Sequence, residues 1–184
     1  MDMQRAIRYI KYNAEAWGLG GTDIIGSAGF CRSGGNLRVL LEKFYGDITP
    51  DQFDTDYVCD EIDAVNSDLD IAIFIYSGSP LQTDDNPNIP HTFIAIGAED
   101  SMGYDGSIEM FKQLSNKEDP RFAEVYPELH IFSKNGHGFG AGEKGTSSEN
   151  WIETADLYIQ KVMGKNEIIF EGEPPEEFVL KQVV

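Results

Sequence analysis

The chain has 184 residues, with 14 lysines and arginines against 32 aspartates and glutamates, so its formal net charge is −18. This charge argues against nucleic acid and anionic membrane as partners. Hydrophobic residues make up 41% of the chain and aromatic residues 11%, enough to build a sizeable core. No apolar run approaches the ~20 residues of a membrane span, and the charged amino terminus is unlike a signal peptide. We therefore expect a soluble, cytoplasmic protein.

The cysteine content excludes two further classes of protein. Cys31 and Cys59 are too few for a disulfide framework, and neither lies in a Cys/His pattern typical of zinc. The glycine-rich segments also match no nucleotide-binding pattern. The sequence therefore predicts no metal site and no cofactor.

The first predicted element is an amphipathic helix over residues 3–17. Its apolar stripe repeats at spacings of three and four and consists of Met3, Ile7, Ile10, Ala14 and Trp17. Arg5, Arg8 and Lys11 lie largely off this stripe. Such a helix needs a body against which its apolar face can pack.

The following elements alternate between strand and helix. They are a strand over 23–30, a glycine-rich turn at 31–36, a helix over 37–44, strands over 69–76 and 91–98, a helix over 105–115, a strand over 128–132 and a helix over 148–163. Two strands, 69–76 and 91–98, are almost continuously apolar, as expected for parallel strands covered on both faces. The alternation predicts the α/β class, with a mostly parallel sheet and flanking helices.

Two segments depart from this alternation. Residues 46–70 are polar and acidic, which favours a solvated surface excursion, with a lid over the functional site as the alternative. Residues 164–184 hold two short β-like runs around an acidic stretch with two prolines. We therefore expect one domain over 1–163 and an acidic tail over 164–184, which either adds edge strands or hangs free.

Polar side chains follow three predicted strands at their carboxyl ends. These are Cys31 or Ser33 in the glycine-rich turn, Asp100 after the strand over 91–98, and His137 in a loop flanked by glycines. The carboxyl ends of parallel strands meet at one edge of a sheet, where such folds carry their sites. The order nucleophile, acid, histidine is also that of the α/β-hydrolase triad.

Four motifs in this order resemble those of the α/β hydrolases, in the acetyl-esterase/lipase-like branch. The motifs are residues 5–10 with 13–15 and 17–18, the strand end at Gly29 and Phe30, residues 97–100 and residues 136–140. The resemblance covers about residues 3–163 and corresponds to the carboxyl-terminal half of the family's fold. It implies a partial α/β-hydrolase fold that lacks the amino-terminal strands. It also implies hydrolysis of small carboxylic esters through an acyl-enzyme intermediate.

The resemblance assigns roles to an acid and a histidine. Asp100 would orient the imidazole and stabilise the imidazolium, with Asp105 as the alternative carboxylate. His137 would act as general base and then as general acid. The other two histidines are not expected in the site: His130 lies within a strand pattern, and His91 begins a strand without an evident partner.

The nucleophile stays open, because the turn carries one residue more than the family's Gly-x-Ser-x-Gly-Gly pattern. If the strand sets the register, Cys31 is the nucleophile and the N–H of Arg32 is the oxyanion donor. If the helix sets the register, these roles pass to Ser33 and Gly34. A thiolate beside a histidine at a helix amino terminus is a competent nucleophile.

The expected site lacks one part, and this keeps rival functions open. No His-Gly-Gly segment precedes the turn to supply a second oxyanion donor, and the nucleophile strand would form a sheet edge. We expect cover by a homodimer partner, by a missing amino-terminal half or by the tail. The alternatives to an esterase are an impaired pseudo-hydrolase or incomplete fragment, and a doubly wound domain that binds an anion at residues 32–36.

Overall fold

The structure is a computed structural model that describes residues 2–19, 24–82 and 85–164. Its main elements are the helix α1 (Asp2–Asn13), the strand β1 (Gly26–Phe30), the helix α2 (Arg32–Lys43), the strands β2 (Ile71–Ile75) and β3 (His91–Gly97), the helix α3 (Tyr104–Leu114), the strand β4 (Glu128–Phe132) and the helix α4 (Trp151–Val162). A short 3-10 helix, Pro50–Gln52, lies between α2 and β2. None of the described helices is both long enough and apolar enough to cross a membrane.

The four strands form one parallel sheet in the order of the chain. Pairing runs from Gly26 beside Ile71 to Phe30 beside Ile75, and β3 and β4 continue the sheet on the far side of β2. Parallel strands need crossover connections. The helix α2 lies in the connection from β1 to β2, α3 lies in that from β3 to β4, and α4 follows β4. The predicted α/β class with a parallel sheet is confirmed.

Side chains of β2 alternate between two hydrophobic cores, one on each face of the sheet. Ala72 and Phe74 belong to the first core, which α1, α2 and α3 cover with residues such as Leu37 and Met110. Ile71 and Ile75 belong to the second core. The second core is covered by α4 and by the loop that precedes it, through Phe139, Trp151, Ala155 and Tyr158. Full burial of each large apolar side chain stabilises the fold by about 1.5–3 kcal/mol.

The strand β1 lies at the edge of the sheet. Within the described residues it pairs with β2 alone, and Gly26 and Ala28 are exposed. The predicted sheet edge is thus present. Apart from Gly164, the predicted tail lies outside the described residues, so cover by the tail or by a partner stays a prediction.

The glycine-rich segment was predicted as a turn over 31–36, and this is wrong. The helix α2 begins at Arg32, directly after the residue that follows β1. The change from strand to helix can be this sharp because Gly29 and Gly34 lack side chains. A Cβ on Gly29 would lie 2.6 Å from the Cα of Gly34, and a Cβ on Gly34 would lie 1.9 Å from Oγ of Ser77.

The apolar stripe predicted for the first helix is also partly wrong. The helix α1 ends at Asn13 rather than near residue 17, so Trp17, 50% exposed, lies beyond it. Within α1, Ile10 is 41% exposed, whereas Gln4 and Arg8 are completely buried. The reason is that residues 46–70 cover the polar side of α1. Gln4 and Arg8 donate hydrogen bonds to main-chain oxygens in this segment, the shortest two both reaching the carbonyl of Ile48, at 2.5 and 2.9 Å.

Residues 46–70 are therefore not a purely solvated excursion. Asp63 is buried, and its carboxylate lies 2.9 Å from the guanidinium of Arg5 and 3.8 Å from that of Arg8. Asp60 forms two further hydrogen bonds of 2.7 Å with Arg5. The segment joins the end of α2 to the start of β2. It therefore lies at the amino ends of the strands, opposite the carboxyl ends where the site is expected. The alternative of a lid over the strand ends is wrong for this reason.

Candidate active site

Cys31 lies at the sharp connection between β1 and α2. Its backbone has φ 51° and ψ −122°, and its N–H donates to the carbonyl of Ile75 at 3.0 Å. A positive φ is unfavourable for a residue with a Cβ, and such backbones concentrate at functional sites. The connection thus has the form of the strand-to-helix elbow that exposes a nucleophile.

His137 joins Cys31 to Asp100. Its Nε2 lies 3.0 Å from Sγ of Cys31, and its Nδ1 lies 2.8 Å from Oδ2 of Asp100. Ser33 lies exposed in the first turn of α2, and among the described residues it forms no hydrogen bond with His137. The structure therefore brings together three of the predicted side chains and leaves Ser33 aside.

Both carboxylate oxygens of Asp100 form hydrogen bonds. Its side chain is buried, and Oδ1 accepts the N–H groups of Met102 at 2.9 Å and Gly103 at 3.1 Å. Oδ2 is thereby left to face His137. Asp105, the alternative carboxylate, is exposed in the first turn of α3 and is not part of this arrangement.

The loop that carries His137 is fixed against the end of β3. The N–H of Glu99 donates to the carbonyl of Asn135 at 3.0 Å, and a Cβ on Gly97 would lie 2.1 Å from that oxygen. The loop can approach this closely because residue 97 is a glycine. At its other end, the indole N–H of Trp151 donates to the carbonyl of Gly140 at 3.0 Å.

The hydrogen bonds of the site shift the pKa values of Cys31 and His137 in opposite directions. The hydrogen bond with His137 lowers the pKa of the Cys31 thiol, and the backbone N–H of Arg32 lowers it further. The same contact with Cys31 raises the pKa of His137, and Asp100 raises it as well. Both shifts favour a thiolate beside an imidazolium.

Of the two backbone N–H groups proposed as oxyanion donors, one is already engaged. Gly34 donates its N–H to the carbonyl of Cys31 at 3.1 Å, as part of the first turn of α2. Arg32 follows Cys31 directly at the start of the helix, where N–H groups point out of the helix. Its N–H contacts the thiol of Cys31 and, of the two, is the one that donates to no carbonyl of the helix.

The other two histidines lie outside the site, as expected. His130 bonds to Glu128 at 2.6 Å and stacks on Phe93 in the sheet. His91 does have a partner, in contrast to the expectation, because its Nδ1 accepts the N–H of Tyr126 at 3.3 Å. In the described part of the chain, no cluster of three or more histidine, cysteine or carboxylate side chains could hold a metal ion.

Tyr76 is a neighbour of His137 that the sequence pattern did not reveal. It reads as the last residue of an apolar strand, yet its ring centroid lies 4.9 Å from that of the imidazole. A cavity of about 340 Å³ opens beside the same imidazole and is lined by Gly136, His137, Gly138, Phe139, Gly142 and Glu143. The site is thus packed on one side and open on another.

The sequence matches no model of a known protein family and no curated protein. The fold is similar to that of an acetyl ester-xyloside bifunctional hydrolase from Caldicellulosiruptor lactoaceticus, at 22% identity and a TM-score of 0.65, covering 88% of this chain and 64% of that chain. It is also similar to a thermophilic esterase from Thermogutta terrifontis with bound propionate, at 18% identity and a TM-score of 0.61, covering 88% and 64%.

A third similar structure is MGS-M1, an α/β hydrolase enzyme from a Medee basin deep-sea metagenome library, at 18% identity and a TM-score of 0.60. The chain covers 64% of that protein too, so it spans less than two thirds of the length of each of these three structures. Four parallel strands, an elbow after β1 and these likenesses agree. The chain has part of an α/β-hydrolase fold.

Proposed function

We propose that the chain hydrolyses small carboxylic esters, with Cys31 as nucleophile, His137 as general base and acid, and Asp100 as the residue that orients His137. The proposal is carried by the continuous path of hydrogen bonds from Sγ of Cys31 through the imidazole to the buried carboxylate. The similar structures include an acetyl ester-xyloside bifunctional hydrolase and an esterase with bound propionate, which supports a short acyl group. The net charge of −18 disfavours anionic esters.

Three observations favour Cys31 over Ser33 as the nucleophile. Cys31 has the positive φ of the elbow, and its sulfur contacts Nε2 of His137. The N–H of the next residue, Arg32, is at the start of the helix and has no acceptor within it, whereas the N–H that follows Ser33 donates to the carbonyl of Cys31. A serine nucleophile at position 33 would therefore lack both its base and its oxyanion donor.

The first half of the reaction transfers the acyl group to sulfur. The thiol proton of Cys31 moves to Nε2 of His137, and the thiolate attacks the ester carbonyl carbon to form a C–S bond. The carbonyl electron pair moves onto oxygen, where the N–H of Arg32 stabilises the charge. The C–O bond then breaks, His137 protonates the departing alcohol, and a thioester remains on Cys31.

The second half of the reaction restores the thiol. A water molecule transfers a proton to His137 as its oxygen attacks the thioester carbon. The C–S bond breaks, and the sulfur of Cys31 regains its proton from the imidazolium. Ester and water are thus converted to carboxylic acid and alcohol. Asp100 holds the tautomer of His137 that presents Nε2 to the sulfur.

We expect slow turnover from this site. Loss of one oxyanion donor costs about 10²–10³ in rate in hydrolases of this kind, and Arg32 is the donor that the described residues identify. A pseudo-hydrolase or a fragment with a binding role would have the same fold without turnover. The intact contacts of His137 with Cys31 and Asp100 argue for the enzyme.

The proposal is tested by release of p-nitrophenol from p-nitrophenyl acetate. The wild type is compared with Cys31→Ala, His137→Ala and Ser33→Ala, each shown by circular dichroism to be folded. We expect the first two substitutions to abolish turnover and Ser33→Ala to retain it. Loss of turnover in Ser33→Ala with activity kept in Cys31→Ala would reverse the assignment, and equal background rates in all four proteins would refute the hydrolase.

A further inference from the structure

The side chain of Tyr76 lies on the unexpected face of the sheet. Along β2, Ile71 and Ile75 pack in the second core, and Phe74 packs in the first core. Strict alternation would send the next side chain, Tyr76, to the first core. Tyr76 instead packs in the second core, together with Ile75 and on the side that holds Phe139.

The backbone of Tyr76 explains this placement. Its φ is 43°, in the left-handed region, which is unfavourable for a bulky aromatic residue. The conformation is fixed by the surroundings, because the N–H of Tyr76 donates to the carbonyl of Ala95 at 2.8 Å in the neighbouring strand. A strained backbone that the fold preserves beside a site is a sign that the side chain is needed there.

The ring of Tyr76 packs between the imidazole and the second core. It contacts His137 at a centroid distance of 4.9 Å and an interplanar angle of 66°, and Phe139 at 4.9 Å and 78°. Phe30, the residue before the elbow, contacts the ring at 5.9 Å. Edge-to-face contacts of this kind are favourable and depend on orientation. Tyr76 is buried, so its ring has little room to move.

The two residues beside Tyr76 hold the elbow. The carbonyl of Ile75 accepts the N–H of Cys31 at 3.0 Å, and the hydroxyl of Ser77 donates to the carbonyl of Gly29 at 3.1 Å. Residues 75–77 thus contact the nucleophile side of the site through the main chain. Tyr76, the middle residue of the three, contacts the imidazole of His137 through its ring.

We propose that Tyr76 is a positioning residue for His137: its left-handed backbone turns the ring onto the face of the sheet that carries the imidazole, and the ring holds Nε2 toward Cys31. Asp100 fixes the other end of the imidazole through Nδ1. The hydrogen bond to Asp100 by itself leaves the imidazole free to tilt about Nδ1. The ring of Tyr76, packed against the imidazole, restricts this tilt. The inference rests on the proposed roles of Cys31 and His137.

The test reads the contact between Cys31 and His137 without using ester turnover. Alkylation by iodoacetamide measures how much of the thiol is ionised at each pH. His137 and the guanidinium of Arg32 are the charged groups that favour the thiolate. All proteins carry Cys59→Ser, which leaves Cys31 as the sole cysteine. The pH profile of alkylation is then recorded for this background and for His137→Ala, Tyr76→Leu and Tyr76→Phe.

We expect the profile of Tyr76→Phe to match the background, because the ring is kept. Tyr76→Leu is expected to shift the midpoint to higher pH, at least halfway to that of His137→Ala. Leucine and phenylalanine have the same difficulty with a positive φ, so the ring is the difference between these two variants. A structural role alone would lower stability equally at every pH and leave the midpoint in place.

Two results would overturn the inference while leaving the proposed function intact. One is a Tyr76→Leu profile that matches the background while His137→Ala differs from it. The other is a Tyr76→Phe profile shifted as far as that of Tyr76→Leu, which would assign the effect to the hydroxyl. A background profile equal to that of His137→Ala would refute both the inference and the triad. The expected profiles without ester turnover would refute the proposed function alone.

A measurement on the wild type covers the case in which Tyr76→Leu does not fold. Proton NMR detects through-space contacts between the Tyr76 ring and the imidazole protons of His137, which the His137→Ala spectrum assigns. The centroid distance of 4.9 Å predicts these contacts. Their absence would overturn the inference.

Discussion

The two exposed cysteines lie in regions that shift the pKa of a thiol in opposite directions. Cys31 contacts the imidazole of His137 at 3.0 Å, and this contact lowers its pKa. Cys59, in the segment between α2 and β2, contacts the carboxylate of Asp51 at 3.3 Å. Partial desolvation of the sulfur, together with the hydrogen bond and the negative charge of Asp51, raises the pKa of Cys59. Two exposed cysteines can therefore differ in thiol pKa because their hydrogen-bond partners differ.

The buried carboxylates of the same two regions differ as well. Asp100 accepts two backbone N–H groups and directs one oxygen at His137. Asp63 lies between Arg5 and Arg8 and holds the 46–70 segment against α1. In the proposed mechanism the buried carboxylate of the first region orients His137, whereas the buried carboxylate of the second region holds a loop against α1. Substitutions should accordingly affect catalysis in one region and stability in the other.

The largest effect is expected from Asp100→Asn. The asparagine keeps the shape of the side chain but favours the wrong tautomer of His137, so turnover should fall about 10⁴-fold while the fold is kept. Steady-state kinetics with p-nitrophenyl acetate measure the change. Asp105→Asn is the control, because this carboxylate is exposed in α3 and should leave turnover unchanged. Equal effects of both substitutions would contradict the assignment of Asp100.

Asp63→Ala should instead lower the free energy of unfolding. It leaves Arg8 buried without its carboxylate, and breaking a buried ion pair in this way costs about 3–5 kcal/mol. Urea unfolding followed by circular dichroism gives the value. Asp60→Ala removes an exposed partner of Arg5 in the same segment and should have a much smaller effect. If both substitutions had the same effect, burial of the charge would not be what matters there.

The pH dependence of turnover should distinguish Cys31 from a hydroxyl nucleophile. As pH rises, kcat/KM of the wild type should increase as the thiol of Cys31 ionises, below the ordinary thiol range because its pKa is lowered. It should decrease as His137 loses its proton, above the ordinary histidine range because that pKa is raised. Each limb should change about tenfold per pH unit, and the two limbs belong to the pair jointly.

Cys31→Ser provides the contrast. A serine hydroxyl does not ionise in this range, so its turnover depends on neutral His137 as the base and should rise with pH through the imidazole pKa. A pH–rate profile recorded for both proteins checks the difference. Identical profiles would mean that the thiol is not ionised before it attacks the ester.

The smallest effect is expected at the second cysteine. Cys59→Ser should leave turnover unchanged, because Cys59 lies in the segment at the amino ends of the strands, whereas His137 lies at their carboxyl ends. In the wild type, iodoacetamide near neutral pH should modify Cys31 before Cys59, which mass spectrometry of peptides can measure. Faster modification of Cys59 would contradict the comparison between the two regions.

Much of the fold was predictable from local patterns. The apolar runs at 69–76 and 91–98 became β2 and β3, because strands covered on both faces need continuous apolar sequence. Asp100 and His137 were predictable as neighbours for a topological reason. Residues that follow parallel strands meet at one edge of the sheet, whatever their separation along the chain.

The errors arose where residues distant in sequence decide the environment. Gln4 and Arg8 are buried because carbonyls near residue 48 reach them, and no helical periodicity contains this information. The choice between Cys31 and Ser33 depended on how closely Gly29 and Gly34 approach each other. Ser33, only two residues after Cys31, lies in the first turn of α2 and does not contact His137.

The sequence by itself determined the class of the fold, the order of its elements along the chain and the residues available for chemistry. Hydrophobic periodicity and the succession of elements are local properties of the sequence. Tertiary structure alone decided which thiol or hydroxyl meets His137 and on which face Tyr76 lies. Both depend on backbone angles, φ 51° at Cys31 and φ 43° at Tyr76, that their own residue types disfavour. Hydrogen bonds to the neighbouring strands β2 and β3 hold these conformations, and such contacts form only when the sheet is assembled.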